Sequence, residues 1–338
     1  MLLLELDDPR WVAFVSEHPE ALPFHHPAWA RALAGCYRYR PLVIAWADGR
    51  RLAGGLPVIE VRPPLGGRRW VALPFTDYCP PLVQGLTPER VADDLVEEAR
   101  SRNVRLELRA GLPRRAGLHS SVAAVRHTSA LPSDPRLAHA GLSKMHQRNL
   151  RRAEQAGVQV AWGSSAADVD TFYRLHVLTR RRQGVPVQPR RFFHSLAEQL
   201  VAPGLARVLT ARAEGVPVAA ALFLAWNGVL VYKYGASDAR YWSLRPNHLL
   251  FWSAIQWGCE HGYRVLDWGR SDVGDVGLRH FKSGWGATEE PLTYAVVSER
   301  APGSETTSRL RPALEVVIRH SPPWVCRGLG ELLYRYVA

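Results

Sequence analysis

A lone lysine, Lys282, stands in the stretch FKSGWG that runs from Phe281 to Gly286. A cation held beside an acyl carbonyl stabilises the oxyanion that develops during acyl transfer, so a fixed lysine here points to that chemistry. Polar residues cluster around it in the sequence. Lys233, Tyr234, Ser237, Asp238, Arg245, Asp267, Arg270 and Asp272 all fall in or just past predicted strand ends, where α/β sheets tend to bind ligands. The run Ser283-Gly284-Trp285-Gly286 predicts a bend that brings backbone close to a ligand. Each residue alone also reads as half of a surface salt bridge. The group together indicates a site.

The elements that must position these residues lie between Val229 and Gly286. Val229 to Tyr232 are β-formers and predict a strand. A loop with Gly235, Ser237 and Asp238 follows, then Arg245-Pro246, with Asn247 as the expected N-cap of a helix. Leu250, Phe251, Ala254, Ile255 and Trp257 recur at helical spacing, and Gly262 closes the helix. Arg264 to Trp268 predicts a second strand, giving a strand–helix–strand unit with neighbouring strands. An arginine and a glycine-bearing loop before a helix start suit an anion, through unpaired N–H groups and the helix dipole.

Other chemistries find no support. There is no GxSxG, HExxH, GxxxxGK[ST] or post-strand GxGxxG. His25-His26 is a weak pair, and Cys259 and His261 do not share a helix face. The four cysteines, Cys36, Cys79, Cys259 and Cys326, form no CxxC pair, which argues against disulfides and structural zinc. Hydrophobic residues make up 47% of the 338, so the chain is expected to fold, with room for two domains. Lys+Arg number 43 against 31 Asp+Glu, a net charge of +12. That excess suits RNA, a coenzyme, a nucleotide-linked substrate or acidic lipid. The dominance of arginine equally fits a GC-rich coding bias. The N-terminal MLLLELDDPR lacks the features of a signal peptide. Val216 to Tyr234 is split by Asn227-Gly228 into two strand-length pieces, as in a hairpin. The expected location is the cytoplasm.

In chain order, residues 1 to about 130 read as α/β. Proline-led helices are expected at Pro9–Glu17 and Pro27–Gly35, a hairpin around Asp48-Gly49, and a helix from Pro88 to Arg102. Residues 131–142 read as a junction. Ser143 then caps a basic helix, KMHQRNLRRAEQAG, with Lys144, Arg148, Arg151 and Arg152 at spacings that put several of them on one face, either as a solvated surface or as a docking strip for phosphates. Further helices are expected at Ala166–Arg182 and Pro189–Val201, and three antiparallel strands are joined by Glu214-Gly215 and Asn227-Gly228. Arg180, Arg181 and Arg182 suit a helix C-terminus. The second half thus repeats the order of the first, as two copies of one module. A polar stretch, Pro302 to Ser308, precedes two amphipathic helices around Pro322-Pro323, which either pack on the body or rest on a membrane surface.

The segments YKYGASD, YWSLRPNHLLFWSAIQWGCEHGY, LDWGRSD and GLRHFKSGWGA resemble the FemA/FemB/FemX-like (FemABX) branch of the GNAT acyltransferase superfamily. The stretches HQRNLRRAEQAGV and HVLTRRRQGVP also look like that family, and the resemblance spans about Lys144 to Tyr294. It implies an α/β (α+β) fold of two tandem GNAT-like modules, at 1–135 and 136–300. Each would be a mixed, mostly antiparallel sheet flanked by helices, with a C-terminal helical tail at 301–338. It implies an aminoacyltransferase that takes an amino acid from aminoacyl-tRNA and forms an amide on the amine of a peptidoglycan precursor or natural-product acceptor. No further cofactor is implied. The alternative is an acyl-CoA-dependent N-acyltransferase, with Leu244 to Asn247 holding a pyrophosphate. A non-catalytic module that binds RNA or an envelope precursor is a third reading. In the family a Phe-Lys pair sits near the acyl acceptor, and it matches Phe281-Lys282, the implied catalytic residues. Tyr232, Tyr234, Arg245, Asn247, Arg270 and Asp272 are candidates for holding substrate, such as a peptide, a nucleotide-linked precursor or an amino sugar. Lys144, Arg148, Arg151 and Arg152 are candidates for binding tRNA. Asp272 and Asp77 are weaker candidates for a general base. Substitution of Lys282 is expected to lower turnover with little effect on folding. The long coiled-coil arm of some members is missing, and the tail after Val297 matches nothing in the best-known enzymes.

Overall fold

The structure is a computed structural model that describes residues 1–62, 67–298 and 311–334. Contacts divide the chain into two units. Among the described residues, the first comprises Met1–Val125 and residues 291–298; the second comprises Arg126–Glu290 and the C-terminal helices to Tyr334. The family resemblance implies boundaries at 135/136 and 300/301. The polar stretch 302–308 and the chain beyond Tyr334 lie outside the described residues.

The first unit holds β1 (Leu2–Glu5), α1 (Pro9–Glu17), α2 (Pro27–Tyr37), β2 (Arg40–Asp48), β3 (Arg51–Val61), β4 (Arg69–Val71), β5 (Leu82–Val83), α3 (Pro88–Ser101) and β6 (Arg105–Leu108). It also holds most of β7 (Leu118–Ala130). Asp48-Gly49 turns β2 into its antiparallel partner β3, with Gly49 at φ 60°. β4 runs parallel to β6, with α3 in the connection. The helix buries Val91, Leu95 and Val96 against Leu56, Trp70 and Leu106. α1, α2 and α3 all open on proline at the first turn, where its missing N–H is no loss.

In the second unit, residues 131–142 contain a short helix, α4 (Pro135–Ala140), where only a junction was expected. Asp134 caps it by accepting from the Arg136 N–H. Then come α5 (Lys144–Gln155), β8 (Gln159–Gly163), α6 (Ala166–Gln183), α7 (Arg190–Leu196), β9 (Ala206–Ala213), β10 (Val216–Trp226), β11 (Val229–Ser237), α8 (Pro246–Glu260), β12 (Val265–Ser271) and α9 (Val276–Ser283). A π turn, Ala197–Val201, extends α7. The strand order is β12-β11-β10-β9-β8. β8 to β11 are antiparallel, and β12 returns parallel to β11 after α8. Both tight turns place two residues at positive φ, Glu214-Gly215 and Asn227-Gly228, the geometry that matches strand twist. α5 and α8 supply Leu150, Ala153, Phe251 and Ile255 to one core with Phe223 and Trp268.

The remaining elements are β13 (Thr288–Val297), α10 (Arg311–His320) and α11 (Pro323–Leu333). α10 and α11 lie against α6 and bury Ile318, Cys326 and Tyr334. Cys326 donates through Sγ to Val185 O at 3.3 Å, and the Val187 N–H donates to Cys326 O. The two helices therefore pack on the body, although Trp324 is exposed. The Arg180–Arg182 cluster serves three ends: Arg180 donates to Tyr334 Oη, Arg181 to Ser321 O, and Arg182 to Ser237 O. Among the described residues no helix is long and apolar enough to cross a membrane.

Candidate active site

β11 is longer than its sequence predicts. It runs to Ser237, so Gly235 and Ser237 belong to the strand and not to a loop. A register shift opposite Leu222/Phe223 pairs Tyr234 with Leu222 and Tyr232 with Phe223. This bulge breaks the two-residue alternation. Tyr232 packs on Phe251 of α8 at 4.9 Å, whereas Tyr234 packs on Phe193 of α7 and His176 of α6 at 5.8 Å. The two tyrosines therefore sit in separate hydrophobic environments and do not line one pocket. Burial pushes the Tyr232 phenol pKa up, in keeping with a core residue.

After Ser237, the Asp238 side chain accepts from the Arg240 N–H and starts a 3-10 turn, Ala239–Leu244. The turn presents Trp242, whose Nε1 donates to Ser237 Oγ at 2.9 Å. The Arg182 guanidinium lies 4.5 Å from the Trp242 ring centroid. The expected cap Asn247 does not cap α8. The cap position is Arg245, in the left-handed region at φ 58°, with Pro246 in the first turn and no side-chain cap. A non-glycine residue there carries strain of about 1–2 kcal/mol. Proline explains the shift, because its fixed φ suits the first helical position and excludes the residue before it from the helix.

In front of this helix start is a cleft of about 160 Å³ lined by Trp242, Arg245, Pro246, Asn247, His248 and Phe281. Arg245 Nε is buried and has no partner among the described residues. Phe281 reaches the cleft from α9. Its ring lies 5.6 Å from that of His248 and 5.1 Å from that of His146. Behind the cleft, His146 Nε2 donates to Phe281 O at 2.9 Å, and Asn149 Nδ2 meets His248 Nε2 at 3.1 Å. Burial holds the His146 pKa below its usual value. Burial first, then the His146 and Arg245 charges, lower that of His248 to about 4.

Lys282 is 3% exposed. Its ammonium donates to Gly269 O at 3.2 Å and Arg270 O at 2.9 Å. Gly269 turns the end of β12 at φ 68°, a conformation that glycine adopts without strain. The expectation that Lys282 matters little for folding is corrected here. Removing it leaves the buried Gly269 carbonyl and the part-buried Arg270 carbonyl without this donor, at about 1–3 kcal/mol for a buried group. Gly284 also departs from expectation. Its close approach is to α5: a Cβ there would lie 2.8 Å from His146 Nε2, and Ser143 N–H donates to Gly284 O.

The carboxylates near β12 are paired. Asp267, 3% exposed, accepts from Arg126 Nε and Nη2 at 2.9 and 2.8 Å and from the Gly269 N–H. Arg126 also reaches Glu290 at 3.0 Å. Glu289 accepts from Arg279 and meets His127 Nε2 at 2.9 Å. The Arg279 hydrogen bond holds the Glu289 pKa down to about 2. Arg270 and Asp272 pair with each other at 2.8 Å, with the Asp272 carboxylate largely exposed. Neither residue lines the cleft. Asp77 belongs to the first unit, where its carbonyl accepts from Tyr294 Oη. Lys144, Arg148, Arg151 and Arg152 are all exposed on α5, while His146, Asn149, Leu150 and Ala153 form its buried face. Among the described residues no group of His, Cys, Asp or Glu could hold a metal ion.

Of the residues singled out in the sequence, Arg245, Asn247 and Phe281 line the cleft and Lys282 does not; Trp242 and His248 line it and His146 and Asn149 support it without having been expected. One signal was available. His146 and Asn149 lie on the apolar stripe of α5 with Leu150 and Ala153, and polar residues on such a stripe need buried partners.

Residues 142–283, which span α5 to α9, match the acetyltransferase (GNAT) domain family. The second unit carries a GNAT domain. Its helix α8, crossing from β11 to the parallel β12, opens at the cleft. Solved structures extend the likeness over both units. FemX aligns with a TM-score of 0.69 at 14% identity, covering 94% of this chain and 100% of that one. L-PGS from Bacillus licheniformis aligns at 0.56 and 14%, covering 94% and 97%. A tandem GNAT protein from the clavulanic acid biosynthesis pathway aligns at 0.51 and 13%, covering 89% and 99%. At these identities the shared property is the fold, mixed α/β with a mostly antiparallel sheet and flanking helices, as in tandem GNAT structures. No curated protein matches the sequence.

Proposed function

We propose that the chain is an aminoacyl-tRNA-dependent aminoacyltransferase that forms an amide on the amine of a peptidoglycan precursor or a natural-product acceptor. The observation that carries this reading is the cleft at the start of α8, bounded by Phe281, whose chain neighbour Lys282 carries a buried ammonium bonded to the end of β12. The acceptor amine attacks the ester carbonyl of the charged tRNA. The ester is already activated, so the step needs no ATP. The Lys282 charge, held in a low-dielectric interior, favours the oxyanion through its field. The exposed Lys144, Arg148, Arg151 and Arg152 belong to α5, the helix that also supports the cleft through His146 and Asn149. They suit the phosphates of the tRNA. A charged tRNA donor places the reaction in the cytoplasm.

The uncapped start of α8 and the unpartnered Arg245 Nε also suit the pyrophosphate of an acyl-CoA donor, which keeps the N-acyltransferase reading as the second. The deciding experiment incubates the protein with a pool of charged tRNAs and candidate peptide or amino-sugar acceptors, with products read by mass spectrometry. Amide product that disappears after ribonuclease treatment of the pool supports the tRNA reading. Product formed only with acetyl-CoA supports the second reading and sinks the first.

A further inference from the structure

His248 is a buried polar side chain that faces the cleft with one ring nitrogen uncommitted. It is 8% exposed and occupies the first turn of α8. Nε2 is engaged by Asn149 Nδ2 at 3.1 Å. Nδ1 has no partner among the described residues, and the ring forms part of the cleft wall beside Phe281 and Arg245. The ring plane is fixed on three sides: His146 at 5.1 Å, Phe281 at 5.6 Å and Trp285 at 6.0 Å. An amide N–H that donates to Nε2 leaves the proton of a neutral imidazole on Nδ1. The arrangement is thus a neutral N–H donor, locked in orientation, in the wall of the cleft.

The geometry points to His248 Nδ1–H as the direct hydrogen-bond donor to the carbonyl oxygen of the acyl group under attack, with Asn149 as the residue that fixes its tautomer. This inference rests on the acyl-transfer reading and adds to it the atom that touches the reacting oxygen. As the amine nitrogen bonds to the carbonyl carbon, the carbonyl π pair moves to oxygen, and that oxyanion accepts from Nδ1–H with no proton transferred. Collapse re-forms the carbonyl and breaks the ester C–O bond. The pair leaves on the ribose oxygen, which takes the proton lost by the amine. A neutral donor serves here because it does not have to give up its proton, and the positive end of the α8 dipole, together with Arg245, disfavours an imidazolium.

Three variants of the full chain test this in the assay with pooled charged tRNAs and labelled amino acids. His248→Phe keeps the ring and removes the donor; kcat should fall roughly 100-fold with KM little changed. His248→Asn places an amide N–H near the Nδ1 position and should recover about tenfold over the Phe variant. Asn149→Leu should lower kcat by about tenfold through loss of the tautomer lock. Independently of turnover, nitrogen NMR of the labelled wild-type protein should show His248 with Nδ1 protonated and Nε2 bare. Wild-type kcat in His248→Phe, equal losses in the Phe and Asn variants, or a proton on Nε2 would each overturn the assignment while leaving acyl transfer intact. A wild-type protein that transfers label from no donor would instead remove the acyl-transfer reading, and this inference with it.

Discussion

Each unit contains a strand, a helix and a parallel returning strand: β4, α3 and β6 in the first, β11, α8 and β12 in the second. Both helices open on proline. Their first turns differ. α3 begins at Thr87, whose hydroxyl accepts from the Arg90 N–H, and Glu89 adds a negative charge where the dipole welcomes one. α8 begins at Arg245 in the left-handed region, with no side-chain cap and no acid in its first turn. One crossover satisfies its own helix end from within. The other leaves it to a cleft that holds a cation and a buried histidine. The same architectural move is closed in one unit and open in the other, and the difference lies in a few residues around the proline.

The strongest way to break that contrast is on α9, at the lysine that anchors the strand following α8. Lys282→Met should lower turnover by about 100-fold or more and lower the melting temperature as well, because Gly269 O and Arg270 O lose this donor. Steady-state kinetics and thermal denaturation of the same preparation read both effects. Unchanged turnover would leave Lys282 as an anchor for β12 alone.

Acid should separate the units next. Burial lowers the pKa of His248 to about 4 and of His176 to about 3 in the second unit, and of His25 to about 4 in the first. Each folded-state value lies below the unfolded one, so the unfolded chain binds the extra proton. Stability is therefore full above pH 6.5 and declines as pH falls towards 4, by on the order of 3 kcal/mol per histidine. Melting temperatures measured from pH 8 to pH 4 should fall over that window. His176→Phe should make the slope shallower whatever its effect on absolute stability.

Arg245→Gly sharpens the comparison at the helix start. Glycine relieves the left-handed strain, so stability should hold or rise by about 1 kcal/mol. The loss of the guanidinium should raise the KM for the donor about tenfold, as expected for a charge-assisted contact. A fall in stability with unchanged KM would contradict the placement of Arg245 at the donor. The smallest effect is expected at the closed end. Thr87→Ala should cost about 1 kcal/mol in chemical denaturation and leave turnover untouched.

Much of the fold was legible because the relevant signals are local. Asp48-Gly49, Glu214-Gly215 and Asn227-Gly228 mark turns by residues that tolerate positive φ, and the proline-led helices start where proline costs least. The site was legible in outline only. The pair Tyr232 and Tyr234 looked like neighbours, until a bulge sent them to different environments. The short helix Pro135–Ala140 was hidden in a proline- and glycine-punctuated stretch. His248 carried no mark of its own, because the residue that orients it, Asn149, is 99 positions away in the sequence.

What the sequence settles alone is the order of elements, the turns between them, and which helices have a charged face. These depend on backbone preferences within a few residues. Which polar groups go inside is a tertiary decision. Arg148 stays in water, while Lys282 is drawn in by the carbonyls of Gly269 and Arg270. An ammonium can be buried only where acceptors repay its desolvation, and only the folded chain brings those acceptors to it.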